Sequence, residues 1–141
     1  MSTRSLIGRK LEDGKIEFIY CHWDGYPKHN GKILLNHYTD EEKIKELINL
    51  GDLSSLAEEI GEKHDFDAKD IIFKWCMAYG RDRGESNTEK RIVNSLNDFL
   101  GIDSGQDFYY LYQDNEWYFS SFTNRRNFIK VKDYLNNNKE K

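Results

Sequence analysis

The sequence has no run approaching the ~18 consecutive apolar residues of a membrane span, and Met1-Ser2-Thr3-Arg4 is not followed by the apolar block of a secretion signal. A cytoplasmic protein is therefore expected. Cysteine is scarce: Cys21 and Cys76 are far apart and make no CxxC pair. In a reducing cytosol such residues read as buried or reactive thiols rather than as a disulfide. GxxxxGK[ST], GxGxxG and HExxH are all missing, which removes the sequence signals of phosphate loops, dinucleotide folds and metalloprotease helices. A dominant charge is missing too. The formal net charge is −4, from 21 basic and 25 acidic residues that are interleaved along the chain. That balance argues against direct nucleic-acid binding, and the acids are too sparse for a DNA mimic.

Hydrophobic residues are also in short supply, at 38% of the 141-residue chain, while charged residues reach 33%. Most elements should therefore be amphipathic, with one face wet. Aromatics, at 14%, make up the shortfall. Each buries a large area, and Tyr and Trp also suit surfaces that are apolar at one end and wet at the other, as binding surfaces are. The length fits one compact domain. We expect residues 1–136 to form a single globular domain and 137–141 a frayed tail.

Residues 5–11 and 15–22 flank Glu12-Asp13-Gly14, and Asp-Gly signals a hairpin because both turn positions favour positive φ. In the second strand Ile16, Phe18 and Tyr20 should face the core, and Glu17, Ile19 and Cys21 form a half-apolar opposite face. Gly25, Pro27, Asn30 and Gly31 break any regular pattern and predict a structured loop over 23–31. Thr39 with Glu42 makes a capping box, Ile44, Leu47 and Ile48 share a helical face, and Gly51 can end that helix. Leu53, Leu56 and Ile60 suggest another helical turn or two. Residues 71–79 are rich in β-formers and predict a central strand. Ser86 to Glu89 again reads as a capping box, opening a helix whose stripe is Ile92, Val93, Leu96, Phe99 and Leu100. Asp114-Asn115 then joins two aromatic strands over 108–113 and 116–122, and Phe128, Val131 and Leu135 suggest a last short helix. The predicted fold is α+β: an antiparallel sheet of about five strands, built from two hairpins and a central strand, with three or four helices packed mainly on one face. An exposed aromatic edge on the second hairpin would favour a homodimer.

Cys21, His22 and Asp24 have the composition of a nucleophile system. On an extended strand, however, Cys21 and His22 point to opposite faces. A thiol nucleophile would need His29, His37 or His64 to fold back on it, and the alternative is a small buried Cys21. His22 and Asp24 would share a face, so Asp24 could orient the imidazole. The seven- and eight-residue spacings of His22, His29 and His37 match no compact ligand motif, so neither metal nor cofactor is expected. Two segments remain as candidate binding surfaces. One gathers His22, Trp23, Asp24, Tyr26 and Asn30. The other carries Tyr79, Arg81, Asp82 and Arg83 in a glycine-bounded turn, where arginines could hold a phosphate or carboxylate bidentately. The competing reading has Arg81 or Arg83 bridging Asp24, Asp82 or Glu85 and merely fixing the turn.

Ser2-Thr3-Arg4-Ser5, Tyr20-Cys21-His22-Trp23-Asp24-Gly25-Tyr26-Pro27, Asn30-Gly31, Leu50-Gly51-Asp52-Leu53 and Ala78-Tyr79-Gly80-Arg81-Asp82-Arg83-Gly84 resemble a family of small proteins encoded by bacteriophages, prophages and other mobile elements. The resemblance runs to about Glu85, with a weaker echo around Glu116-Trp117-Tyr118. It implies a setting, the host-cell cytoplasm, where small phage proteins bind a host enzyme, a defence complex or a nucleotide signal. The expectation is an accessory protein acting by binding, an inhibitor of host defence such as an anti-CRISPR, rather than an enzyme. The alternatives are a hydrolase or transferase acting on a nucleotide or nucleic-acid end, with His22 and Asp24 beside Arg81 and Arg83, and a nucleotide sponge using the same arginines.

Overall fold

A computed structural model describes residues 3–63 and 74–137. The fold is α+β, and among the described residues its sheet is mixed rather than antiparallel, with eight strands instead of about five. β1 (Ser5–Lys10) and β2 (Ile16–Cys21) form the first hairpin. Only Gly14 takes positive φ (+89°), so the connection is a three-residue loop closed by the Leu11 amide on the Lys15 carbonyl, not the two-residue turn that Asp-Gly suggested. The second hairpin joins β6 (Phe108–Gln113) to β7 (Glu116–Ser121), and there Asp114 and Asn115 do both have positive φ.

Beyond the hairpins the pairings are long-range. β1 lies parallel to β6 from Ser5↔Phe108 to Arg9↔Tyr112. β3 (Leu53–Ser55) lies parallel to the end of β2 at Cys21↔Leu53. The chain between them forms a π-helical turn (Pro27–Gly31), α1 (Lys32–His37) and α2 (Glu41–Asn49), the helical crossover that a parallel pair requires. β4 (Met77–Ala78) runs antiparallel to β3, and α3 (Tyr79–Arg83) follows at once. β5 (Arg91–Val93) pairs with the first half of β2. β8 (Ile129–Lys130) covers β7 at Tyr118 and Phe119, so the aromatic hairpin is not a sheet edge.

Several expected elements change accordingly. Leu53–Ser55 is a strand instead of a helical turn, because the Leu53 and Ser54 carbonyls accept from the His22 and Trp23 amides. Residues 91–93 are also a strand, and the helix there, α4 (Leu96–Leu100), begins only after Ser95, whose Oγ accepts from the Asp98 amide. Of the expected strand over 71–79, residues 71–73 lie outside the described residues and Tyr79 is already helical. α2 is capped by Asp40 rather than Thr39, and Gly51 (φ +85°) follows its end as expected. The final helix, α5 (Val131–Asn137), includes the first residue of the expected frayed tail; 138–141 lie outside the described residues.

Both sheet faces are covered. On one, Ile7, Ile19 and Cys21 pack with Leu34 of α1, Ile44, Leu47 and Ile48 of α2 and Val131 of α5. On the other, Leu6, Ile16 and Phe18 pack with Phe99 and Leu100 of α4. Helices therefore sit mainly on one face, but the set Ile16, Phe18, Tyr20 looks onto the smaller of two cores. Among the described residues no helix is long and apolar enough to cross a membrane.

The aromatics hold this sheet to its loops. Buried tyrosine and tryptophan rings fill the core, and their polar tips satisfy loop carbonyls that would otherwise be stranded. Tyr110 Oη donates to the Gly25 carbonyl (2.6 Å), Tyr109 Oη to Leu100 and Ile102 (3.0 Å each), Tyr38 Oη to Ala57 (2.8 Å) and Trp117 Nε1 to Tyr38 (2.9 Å).

Candidate functional site

The segment leaving β2 is held on every side. The Trp23 amide donates to the Ser54 carbonyl (3.0 Å) and the Gly25 amide to the Thr3 carbonyl (2.8 Å), while Tyr110 fixes the Gly25 carbonyl from below. Gly25 sits so close to the N-terminal strand that a Cβ there would lie 2.9 Å from the Thr3 oxygen and 3.0 Å from Ser5 Cβ. Asn30, fully buried, closes the loop. Its Nδ2 donates to the Trp23 carbonyl (3.2 Å) and contacts Cys21 Sγ (3.5 Å), which leaves Oδ1 to accept from His29 Nδ1 (3.0 Å).

What this scaffold presents is aromatic. Trp23 is 44% and Tyr26 41% exposed, unusual for such large apolar rings. Each leans on an imidazole. His22 meets Trp23 edge-on at 4.8 Å between ring centres, and Tyr26 lies 5.9 Å from His29.

The acid–base pair suggested by His22 and Asp24 does not form. Asp24 has φ +56°, so the strand has ended by that residue and the alternation that would place both side chains on one face no longer applies. His22 Nδ1 instead meets Tyr20 Oη at 2.9 Å. Burial pushes the Tyr20 phenol up, against the pull of Arg4, and partial burial together with Arg4 pushes the His22 imidazole down. The phenol thus keeps its proton beside a ring held toward its neutral form, and the imidazole tautomer sets which of the two donates. Cys21 points to the opposite face, fully buried, and burial pushes its thiol up to about 12 despite the Asn30 contact. A thiol with so little thiolate at neutral pH is a poor nucleophile.

The second segment is a closed ion-pair turn. Arg81 Nε and Nη2 engage the Asp82 carboxylate at 2.9 and 3.1 Å; Nη1 and Nη2 also donate to the Ile60 and Cys76 carbonyls, both at 2.8 Å. Asp82, its side chain fully buried, also accepts from the Ala78 amide (2.9 Å). Arg83 pairs with Glu85 and lies over the Tyr79 ring at 4.9 Å. β4 runs antiparallel to β3, which is parallel to β2, so α3 departs back toward Asp52 while Trp23 continues past the end of β2. The Asp52 carbonyl accepts from the Tyr79 amide and its carboxylate from the Tyr20 amide, joining the two regions below the rim.

Among the described residues no group of three or more His, Cys, Asp or Glu side chains could hold a metal. His22 and His29 face separate partners, His37 lies 3.5 Å from Glu58, and His64 is outside the described residues. The chain matches no protein-family model, no curated protein and no solved structure.

Sequence reasoning passed over two residues that the fold makes conspicuous, Arg125 and Arg126, which line an open cleft beside α4. The signal was there: from Trp117 to Lys132 the chain has four cations and no acid.

Proposed function

We propose that the protein acts by binding, with Trp23 and Tyr26 as the anchors that enter pockets on a partner protein. The observation that carries this reading is the pairing of large exposure with a rigid backbone: two half-exposed aromatic rings on a loop pinned by Ser54, Thr3, Tyr110 and Asn30. Aromatic anchors dominate interface energetics, and a loop already held in shape loses little entropy on association. The motif resemblance adds the setting. We take the partner to be a host enzyme or defence complex, and the protein to be a mobile-element factor that blocks it in the host cytoplasm. The nucleotide-enzyme and sponge readings draw less support from the geometry, since His22 is engaged by Tyr20 and Arg81 is committed to Asp82 and two carbonyls.

The test is a comparison of variants in a host defence assay and in partner capture. W23A and Y26A should lose protection and capture with the fold intact, whereas H22Q should retain both. Loss in H22Q alone would instead favour chemistry at the imidazole.

A further inference from the structure

A second surface stands apart from the aromatic loop. The 3₁₀ turn Phe122–Asn124 and the two arginines after it close over the C-terminal end of α4, leaving a cleft of about 430 Å³ lined by Asn97, Gly101, Thr123, Asn124, Arg125 and Arg126. That volume falls in the ~300–1,000 Å³ range of small-molecule sites. Among the described residues no carboxylate lines it.

The charge of this cleft is uncompensated in a way that is unusual for the molecule. Arg9, Arg81, Arg83 and Arg91 each pair with a carboxylate, on Glu17, Asp82, Glu85 and Asp52 respectively. Arg125 and Arg126 meet neutral oxygens only: Arg125 Nη1 donates to the Leu100 carbonyl (2.6 Å) and Arg126 Nη1 to Asn97 Oδ1 (2.8 Å). Neither has a carboxylate partner among the described residues. Arg125 is further fixed by the Phe122 ring, 4.2 Å from its guanidinium carbon. Two oriented guanidinium groups beside a threonine hydroxyl and two amide side chains make a donor set suited to an oxyanion.

We propose that this cleft binds the phosphoryl group of a small phosphorylated ligand. The Leu100 carbonyl and the Tyr109 hydroxyl engage part of Arg125, and Asn97 takes one donor of Arg126, whereas a tetrahedral oxyanion uses the remaining donors of both. The nucleotide reading of the sequence placed its arginines at 81 and 83; the uncompensated pair is at 125 and 126.

The test is a titration of the isotopically labelled full chain with inorganic phosphate, pyrophosphate and ADP, followed by amide chemical shifts at constant ionic strength with chloride as the control. The expected result is saturable shifts at 97–101 and 122–126 with phosphate or pyrophosphate, and at least tenfold weaker binding in R126Q, which leaves the Arg125 contact with Leu100 in place. R125K/R126K should recover part of the affinity. ADP binding tenfold tighter than pyrophosphate would identify a nucleotide as the source of the phosphoryl group, and equal affinity would identify the phosphate alone. Non-saturable shifts, equal shifts with chloride, or unchanged affinity in folded R126Q would overturn the proposal.

Discussion

Cys21 and Arg81 carry the reactive-looking chemistry of this chain, and each is enclosed by its surroundings. With Cys21 and Cys76 both buried and both thiols pushed up by desolvation, a thiol reagent at pH 8 should label neither in the folded protein and both after denaturation. Rapid labelling of Cys21 in the native state would reopen a nucleophilic role. The divergence of Cys21 and His22 was legible from strand alternation alone. The fate of Asp24 was not: an Asp before a Gly tolerates positive φ, but only the fold decides that the strand ends there. For Arg81, the competing expectations of ligand binding and self-pairing were both written in Arg81-Asp82-Arg83-Gly84-Glu85, and only the fold supplies the Ile60 and Cys76 carbonyls that commit the guanidinium. R81A takes the neutralising guanidinium from the buried Asp82 carboxylate and should cost about 3 kcal/mol in urea unfolding. Loss of that order with partner capture unchanged in the folded fraction is the expected pattern.

At the scale of elements, the loop after β2 depends on a close approach that no side chain can share. G25A should destabilise the protein by about 1–3 kcal/mol, because the new methyl group must displace the Thr3 or Arg4 backbone. W23A and Y26A remove exposed rings and should stay within about 0.5 kcal/mol of wild type. Chemical denaturation of the three variants checks both expectations. The hairpins were readable because their turn chemistry is local. β3 and β5 were not, since Leu53 and Ile92 also fit a helical stripe and only pairing with β2 decides between the two. Ile92, expected in a core, is 54% exposed as a result.

Across the whole molecule the sheet is tied together through Glu17, a nearly buried acid on β2. Arg9 on β1 and Lys90 just before β5 reach it at 2.8 Å each. Burial pushes its carboxyl up, but the hydrogen bonds from Lys90 and Arg9 outweigh this and hold it below the ordinary carboxylate range. A depressed folded value means that the unfolded chain binds the proton more readily. The stabilisation is therefore present above the unfolded value of about 4.3 and is lost as pH falls through the folded one. E17Q should flatten the acid limb of the stability–pH curve, and an unchanged limb would contradict the assignment. The α+β class was legible from element order. The parallel joins of β1 to β6 and of β2 to β3 were hidden because their partners are remote in sequence.

The proposed function assigns Trp23 and Tyr26 as anchors for a partner protein. The most direct measurement compares the proteins captured by the tagged chain from host cells in wild-type, W23A/Y26A and H22Q forms, each verified as folded. A companion retained by wild type and H22Q and lost from W23A/Y26A is the expected result. The same companion held equally by all three forms would contradict it.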